Sequence, residues 1–140
     1  MAIMATYGFY SHQYEKSYYD KYICNFKLSL TGIVIGKNGI PIGNKAWLII
    51  DVKESNYQDY DERDSIEYVS AILKGKSAIV QCQVSSDYKF GDSIILKSRA
   101  CQPPLLENYR NGQLVKSTWV ALSFNNYLKQ KTIQELISIR

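Results

Sequence analysis

The chain alternates apolar and polar residues with a period of two in five separate segments, the pattern of a β-strand that buries one face. These segments span residues 25–36, 45–55, 66–74, 90–100 and 117–124. Helical spacing of leucine and isoleucine appears in residues 128–140, which predicts a short C-terminal amphipathic helix. The chain is therefore expected to be all-β, or at least β-dominated.

Glycine and proline residues mark the connections between these segments. Asn111-Gly112 is typical of the tip of a β-hairpin, and Pro103-Pro104 is expected to end the fourth strand. Residues 77–90 fit either a strand or a short helix, and the pattern leaves both open. At least five strands with long second and fourth connections suit a small barrel, of which the five-stranded OB-fold with a short helix is the compact form.

The bulk composition is that of one globular domain. At 140 residues the chain is long enough to bury a core that needs no disulfide or metal ion to be stable, and no apolar run reaches the length of a membrane span. The N-terminal residues do not form a secretory signal, so we expect a cytoplasmic location, with a plastid-like compartment as the alternative. The three cysteines, Cys24, Cys82 and Cys101, are expected to be buried thiols, and no zinc site is expected.

Charge and tyrosine are unevenly distributed along the chain. Residues 51–67 hold seven acidic and two basic residues, whereas the whole chain carries a net charge of +4, so the remainder is basic. Six of the twelve tyrosines lie between Tyr7 and Tyr22. Residues 1–24 are therefore interpreted as a tyrosine-rich arm that precedes an OB-fold domain at 25–127. The arm can pack on the barrel or contact a partner.

Enzymatic chemistry finds little support in the sequence. Gly75-Lys76-Ser77 ends like a phosphate-binding loop, but position 70, where such a loop needs its first glycine, is Ser70. The single histidine, His12, has no recognisable catalytic partner. We therefore expect a protein that is not an enzyme and needs no cofactor or metal.

Strand alternation places several aromatic and basic side chains on the face opposite the predicted core. The aromatic members are Trp47, Tyr68 and Trp119, and the basic members are Lys45, Lys53, Lys74, Lys97 and Arg99. Single-stranded nucleic acid binds such surfaces, because bases stack on aromatic rings while cations contact the phosphates. The alternative is that the tryptophans lie under the N-terminal arm or in a protein interface.

Read in order, the strand segments resemble the bacterial-type single-stranded-DNA-binding protein family. Glu67-Tyr68 and Gly75-Lys76-Ser77-Ala78 stand at the spacing of that family's third strand, and Tyr88 to Asp92 resemble its entry to the fourth. The resemblance implies an OB-fold and a homo-oligomer that binds single-stranded DNA in replication and repair, without a membrane.

The resemblance also implies base-stacking roles for Tyr68 and for Tyr109, which precedes the Asn111-Gly112 tip. Arg110 beside Tyr109 completes the predicted nucleic-acid-binding set. RNA binding by the same surface and a role as an OB-like protein-interaction module stay open as alternatives.

Overall fold

The computed structural model describes residues 20–39, 46–61, 68–83, 85–120 and 123–124. Lys45, residues 1–19 of the predicted arm and the predicted C-terminal helix at 128–140 lie outside the described residues. The side chain of Tyr68 also lies outside the description, although its backbone is included.

Ten strands make up most of the described chain. They are β1 (Leu30–Gly39), β2 (Ala46–Ser55), β3 (Asp59–Tyr60), β4 (Tyr68–Val69), β5 (Ala71–Lys74), β6 (Ser77–Cys82), β7 (Ser93–Arg99), β8 (Gln102–Arg110), β9 (Gln113–Trp119) and β10 (Ser123–Phe124). Eight of them form one sheet in the order β3-β5-β6-β2-β1-β7-β8-β9, and every neighbouring pair is antiparallel. β10 pairs with β4 in a separate two-stranded sheet. Residues 20–25 are α-helical, and Ser85–Asp87 forms one 3-10 turn.

The predicted β-dominated class is confirmed, with more strands than the five expected. Within the described part of the chain the large sheet is open, with β3 at one edge and β9 at the other. The ambiguous segment 77–90 begins as a strand, β6, and continues to the 3-10 turn.

The segment Gly75-Lys76-Ser77 joins two strands and is not a phosphate-binding loop. Gly75 has a φ of 61° and lies in the tight turn that joins β5 to β6, so Ser77 begins a strand where a phosphate loop requires a helix. Asn111 and Gly112 have φ angles of 55° and 79°, as the predicted hairpin tip requires. Pro103-Pro104, in contrast, does not end a strand. Both prolines lie near the start of β8, where a missing N–H is tolerated.

The main core lies on one face of the large sheet, and the alternation identified much of it. Leu48, Ile50 and Val52 of β2 pack in it with Ile94 and Leu96 of β7. The segment from Phe26 to Ser29 precedes the first strand, yet Phe26 and Leu28 are also buried in this core.

The opposite face of β2, β5 and β6 is buried as well. Trp47 and Ile49 of β2 are buried, as are Ile72 of β5 and Ile79 of β6, although none of the four belongs to the main core cluster. Trp47 is paired in register with Gln81, whose buried amide has no hydrogen-bond partner among the described residues. Trp47 is only 2% exposed, so its predicted role as an accessible stacking ring is wrong.

Strand β1 lies at the centre of the sheet, between β2 and β7, and Gly32 allows β2 to approach it closely. A Cβ atom at residue 32 would lie 2.5 Å from both the carbonyl oxygen of Asp51 and Cγ2 of Ile50. The register of β1 with β2 shifts between Thr31 and Gly32, as at a β-bulge. Any side chain at position 32 would therefore push the two strands apart.

A disulfide joins Cys24, in the helical segment, to Cys101, in the turn between β7 and β8. The expectation of three buried thiols is wrong for these two cysteines, which are exposed and bonded, and correct for Cys82, whose thiol lies in the core. The helical segment is also held by Tyr22, whose hydroxyl forms a hydrogen bond with the hydroxyl of Ser70 and accepts one from the Ser70 N–H at 3.1 Å.

Replacing Cys101 with serine is expected to lower the free energy of unfolding by about 4 kcal/mol, because the disulfide closes a long loop. The two cysteines are 77 residues apart in sequence. Urea denaturation measured with and without reductant tests this expectation. Reductant should destabilise the wild-type protein and leave Cys101→Ser unchanged. Equal stability of the wild type in both conditions would contradict it.

Candidate functional site

An accessible face runs across β1, β7, β8 and β9 on the side opposite the main core. We call it the outer face, and its apolar members are Ile33, Ile95, Leu105, Tyr109, Leu114 and Trp119. Cross-strand pairing aligns them, since Leu105 pairs with Trp119 and Tyr109 pairs with Leu114. Trp119 is 56% exposed, whereas Tyr109 is half-buried. The outer face therefore combines an aromatic-lined side on β8 and β9 with an aliphatic centre.

An open groove crosses the outer face over β1 and β7. One part, of about 330 Å³, is lined by Thr31, Ile33, Lys53, Ser93, Ile95 and Tyr109. The adjoining part, of about 340 Å³, shares Thr31 and Ile95 and is also lined by Glu54 and Lys97. A flat, partly apolar ligand could lie along this groove, with Lys53 and Lys97 among the residues that line it.

Both groove lysines are exposed and already have carboxylate partners. Lys53 Nζ lies 2.9 Å from Asp51 Oδ2, and Lys97 Nζ lies 2.9 Å from Glu107 Oε1. The hydrogen bond to Glu107 raises the pKa of Lys97, so this amine stays protonated. The pair of Lys53 and Asp51 is exposed on both sides and contributes little to stability, so a phosphate can replace Asp51 at low cost. Glu107 is only 13% exposed, so Lys97 is held more firmly by its partner.

The structure brings together only part of the predicted binding set. Tyr109, Trp119, Lys53 and Lys97 share the outer face. Lys74 is exposed on β5, which β6 and β2 separate from β1.

Two predicted arginines have structural partners. The guanidinium of Arg99 donates to the carbonyl oxygen of Pro103, from Nε at 3.0 Å and from Nη2. Arg110 donates to both carboxylate oxygens of Asp92, at 2.9 and 2.8 Å. These bonds hold the two ends of β8, so neither arginine is a free cation for a ligand.

Asp92 organises the end of β8 that carries Tyr109. Its carboxylate is 3% exposed and also accepts a hydrogen bond from the N–H of Lys89 at 2.8 Å. Hydrogen bonding from Arg110 lowers the pKa of Asp92 to about 2. Asn108 donates to the carbonyl oxygen of Asp87 at 2.9 Å, so Tyr109 lies between two residues fixed to the chain before β7.

Sequence reasoning missed several members of this surface. Ile33, Ile95, Leu105 and Leu114 look like ordinary strand residues, and only the pairing of β1, β7, β8 and β9 gathers them on one face. Phe90, in the turn before β7, is 78% exposed but is not a member of the outer face as defined above.

The described ranges contain neither a metal-binding cluster nor a membrane-spanning helix. No group of three histidine, cysteine or acidic side chains that could hold a metal ion occurs there. None of the helical residues described belongs to a helix long and apolar enough to cross a bilayer.

No family model matches the chain, and neither the curated proteins nor the solved structures contain a match to it.

Asp92→Ala is expected to lower the free energy of unfolding by about 2 kcal/mol, because Arg110 and the Lys89 N–H lose a charged acceptor. Asp51→Ala is the matched control, since it removes a carboxylate from an exposed pair with Lys53 and should change stability little. Chemical denaturation of both variants measures the difference. Equal losses would show that the Asp92 pair is no stronger than a surface pair.

The ion pair of Asp92 also predicts a pH dependence. The carboxyl has an ordinary pKa of 3.8 and a folded-state pKa of about 2, so the folded protein holds its charge at lower pH than the unfolded chain. This contribution to stability is complete above pH 3.8 and is lost as pH falls toward 2. Thermal unfolding of wild type and Asp92→Asn across this range should show a shallower acid loss in the variant. Parallel curves would contradict the assignment.

Proposed function

We propose that this chain is a non-enzymatic protein that binds single-stranded DNA on its outer face without reading sequence. The observation that carries the proposal is the pair Tyr109 and Trp119 on one accessible face with Lys53 and Lys97. Aromatic rings provide stacking platforms for any base, and exposed lysines provide phosphate contacts. Trp47 is excluded from the proposal by its burial.

The spacing of the two rings supports separate stacking sites. Trp119 lies opposite Leu105, four residues along β8 from Tyr109. A rise of about 3.3 Å per residue and a strand separation of about 4.8 Å place the two backbone positions about 14 Å apart. Different bases of one strand can therefore occupy the two rings, with the groove over Ile95 beside them.

We further propose that the fold is an OB-like barrel related to the bacterial-type single-stranded-DNA-binding family. β10 follows β9 in the chain, and β4 precedes β5, which lies near the opposite edge of the large sheet. The pairing of Ser123 with Val69 therefore brings the chain after β9 next to the chain before β5, which supports the proposal. The side-chain amide of Gln83, just after β6, donates to the carbonyl oxygen of Trp119 at 3.1 Å, a second contact between these regions.

A protein-interaction module is the second candidate, because both groove lysines have carboxylate partners and the outer face carries three acidic residues, Asp51, Glu54 and Glu107. Such a mixed-charge, partly apolar face also suits a protein surface. Binding measurements with oligonucleotides separate the two candidates.

Titration with dT oligomers of increasing length is expected to quench the fluorescence of Trp119, with binding weakened by salt. Trp47 is buried, so Trp119→Phe should remove most of the quenching. Tyr109→Ala and Trp119→Ala should each weaken binding by about 1 to 3 kcal/mol, the range for loss of one stacking ring.

Tyr57→Ala is the matched control for these variants, since Tyr57 is an exposed aromatic residue that lies in the connection from β2 to β3. Its affinity should equal that of the wild type. A wild-type protein that binds no dT oligomer at low salt would reject the DNA proposal and favour the protein-interaction module.

A further inference from the structure

Glu107 lies on the outer face between the two proposed stacking rings. Leu105, Glu107 and Tyr109 alternate with buried residues along β8, so their side chains share that face. Trp119 pairs with Leu105, which precedes Glu107 by two residues. Tyr109 follows Glu107 by the same interval. A single strand of DNA that stacks on both rings therefore passes over the Glu107 carboxylate.

The carboxylate of Glu107 contacts both a lysine and a ring of the proposed site. Lys97 Nζ lies 2.9 Å from Glu107 Oε1, and the hydroxyl oxygen of Tyr109 lies 3.5 Å from the same oxygen. The side chain of Glu107 is 13% exposed, whereas that of Lys97 is 51% exposed. One partly buried acid thus touches two of the side chains on which the proposed function depends.

A phosphate that binds Lys97 has to take the lysine from Glu107. Loss of the lysine leaves the carboxylate unpaired in a partly buried position, and the phosphate adds a second negative charge beside it. The pair of Lys53 and Asp51 is not restricted in this way, because Asp51 is 42% exposed and water can solvate it when the lysine leaves. The two groove lysines therefore differ in how readily a phosphate can bind them.

We propose that Glu107 sets the affinity of the outer face for single-stranded DNA by occupying Lys97, so that neutralising this carboxylate makes the site bind more tightly. This inference rests on the proposed function. Glu107 acts as an internal competitor, since its carboxylate and a DNA phosphate bind the same ammonium group. Lys53 provides the phosphate contact that needs no such exchange.

Glu107→Gln removes the charge and keeps the size of the side chain, so it frees Lys97 for a phosphate. One additional phosphate contact steepens the slope of log K against log salt by about 0.7 for a single strand, which amounts to about eightfold in affinity between about 1 M and 50 mM salt. The variant should therefore bind a dT oligomer about eightfold more tightly than the wild type at 50 mM salt and equally near 1 M. Fluorescence quenching at several salt concentrations measures both quantities.

Two further variants separate this effect from a change in net charge. Asp59→Asn removes one charge from an exposed residue of β3, at the opposite edge of the sheet, and should bind with the affinity and salt slope of the wild type. Lys97→Gln should cancel the gain when it is combined with Glu107→Gln, and it should cost the wild type less affinity than it costs Glu107→Gln. Circular dichroism confirms that each variant is folded.

Lysine labelling without DNA tests the contact between Lys97 and Glu107 by itself. Acetic anhydride modifies neutral amines, and peptide mass spectrometry gives the rate at each lysine. The hydrogen bond from Glu107 raises the pKa of Lys97, so Glu107→Gln should speed the labelling of Lys97. The rate at Lys74, exposed on β5, should stay the same.

The outcomes distinguish the inference from the proposed function. A wild type that binds dT oligomers, with no tighter binding by Glu107→Gln or with an equal gain in Asp59→Asn, would overturn the inference and leave the proposed function in place. An unchanged labelling rate at Lys97 would also overturn the inference. Failure of both the wild type and Glu107→Gln to bind any dT oligomer would reject the proposed function and the inference with it.

Discussion

The absence of a side chain at Gly32 is the constraint on which the arrangement of the sheet depends. Among the described strands, β1 lies between β2 and β7 in the hydrogen-bonded order of the large sheet, so it joins the half that holds the double-sided core to the half that holds the outer face. At Gly32 the backbone of β2 comes within 2.5 Å of where a Cβ would stand. Close packing across this point sets the position of β7 and, through it, of β8 and β9.

Polar contacts then fix the orientation of the ends of β7 and β8, which apolar packing does not determine. Apolar burial is non-directional, so it holds β7 and β8 against the core without choosing the orientation of their ends. The bidentate bond between Asp92 and Arg110 is directional and mostly shielded, and it anchors the end of β8 next to Tyr109. The pair of Lys53 and Asp51 differs, because both side chains lie at the surface. The Asp92 pair is thus a structural bond, whereas the Lys53 pair is exchangeable.

Sequence periodicity predicted well which residues form strands, but it did not show what covers each face or edge of a strand. Alternation correctly placed Leu48 and Ile50 in the core, because one face of a strand is set by every second residue. It also placed Trp47 on the other face, but periodicity does not show whether that face is covered. The bond between Cys24 and Cys101 connects residues that only the tertiary fold brings together. The open edge of β9 likewise depends on strand order, which no local pattern encodes.

Whether the disulfide anchors the helical segment depends on the redox state of the solution around the protein. Both cysteines are exposed, so small thiols in solution can exchange with the bond. A glutathione-rich interior keeps such bonds open, whereas secreted and periplasmic environments keep them closed. The N-terminal sequence therefore predicts a reducing, cytoplasmic location, whereas the observed disulfide is kept closed in an oxidising compartment. In a reducing cell the segment around Tyr22 would keep its packing and its hydrogen bonds to Ser70 but would lose its covalent link to the turn between β7 and β8.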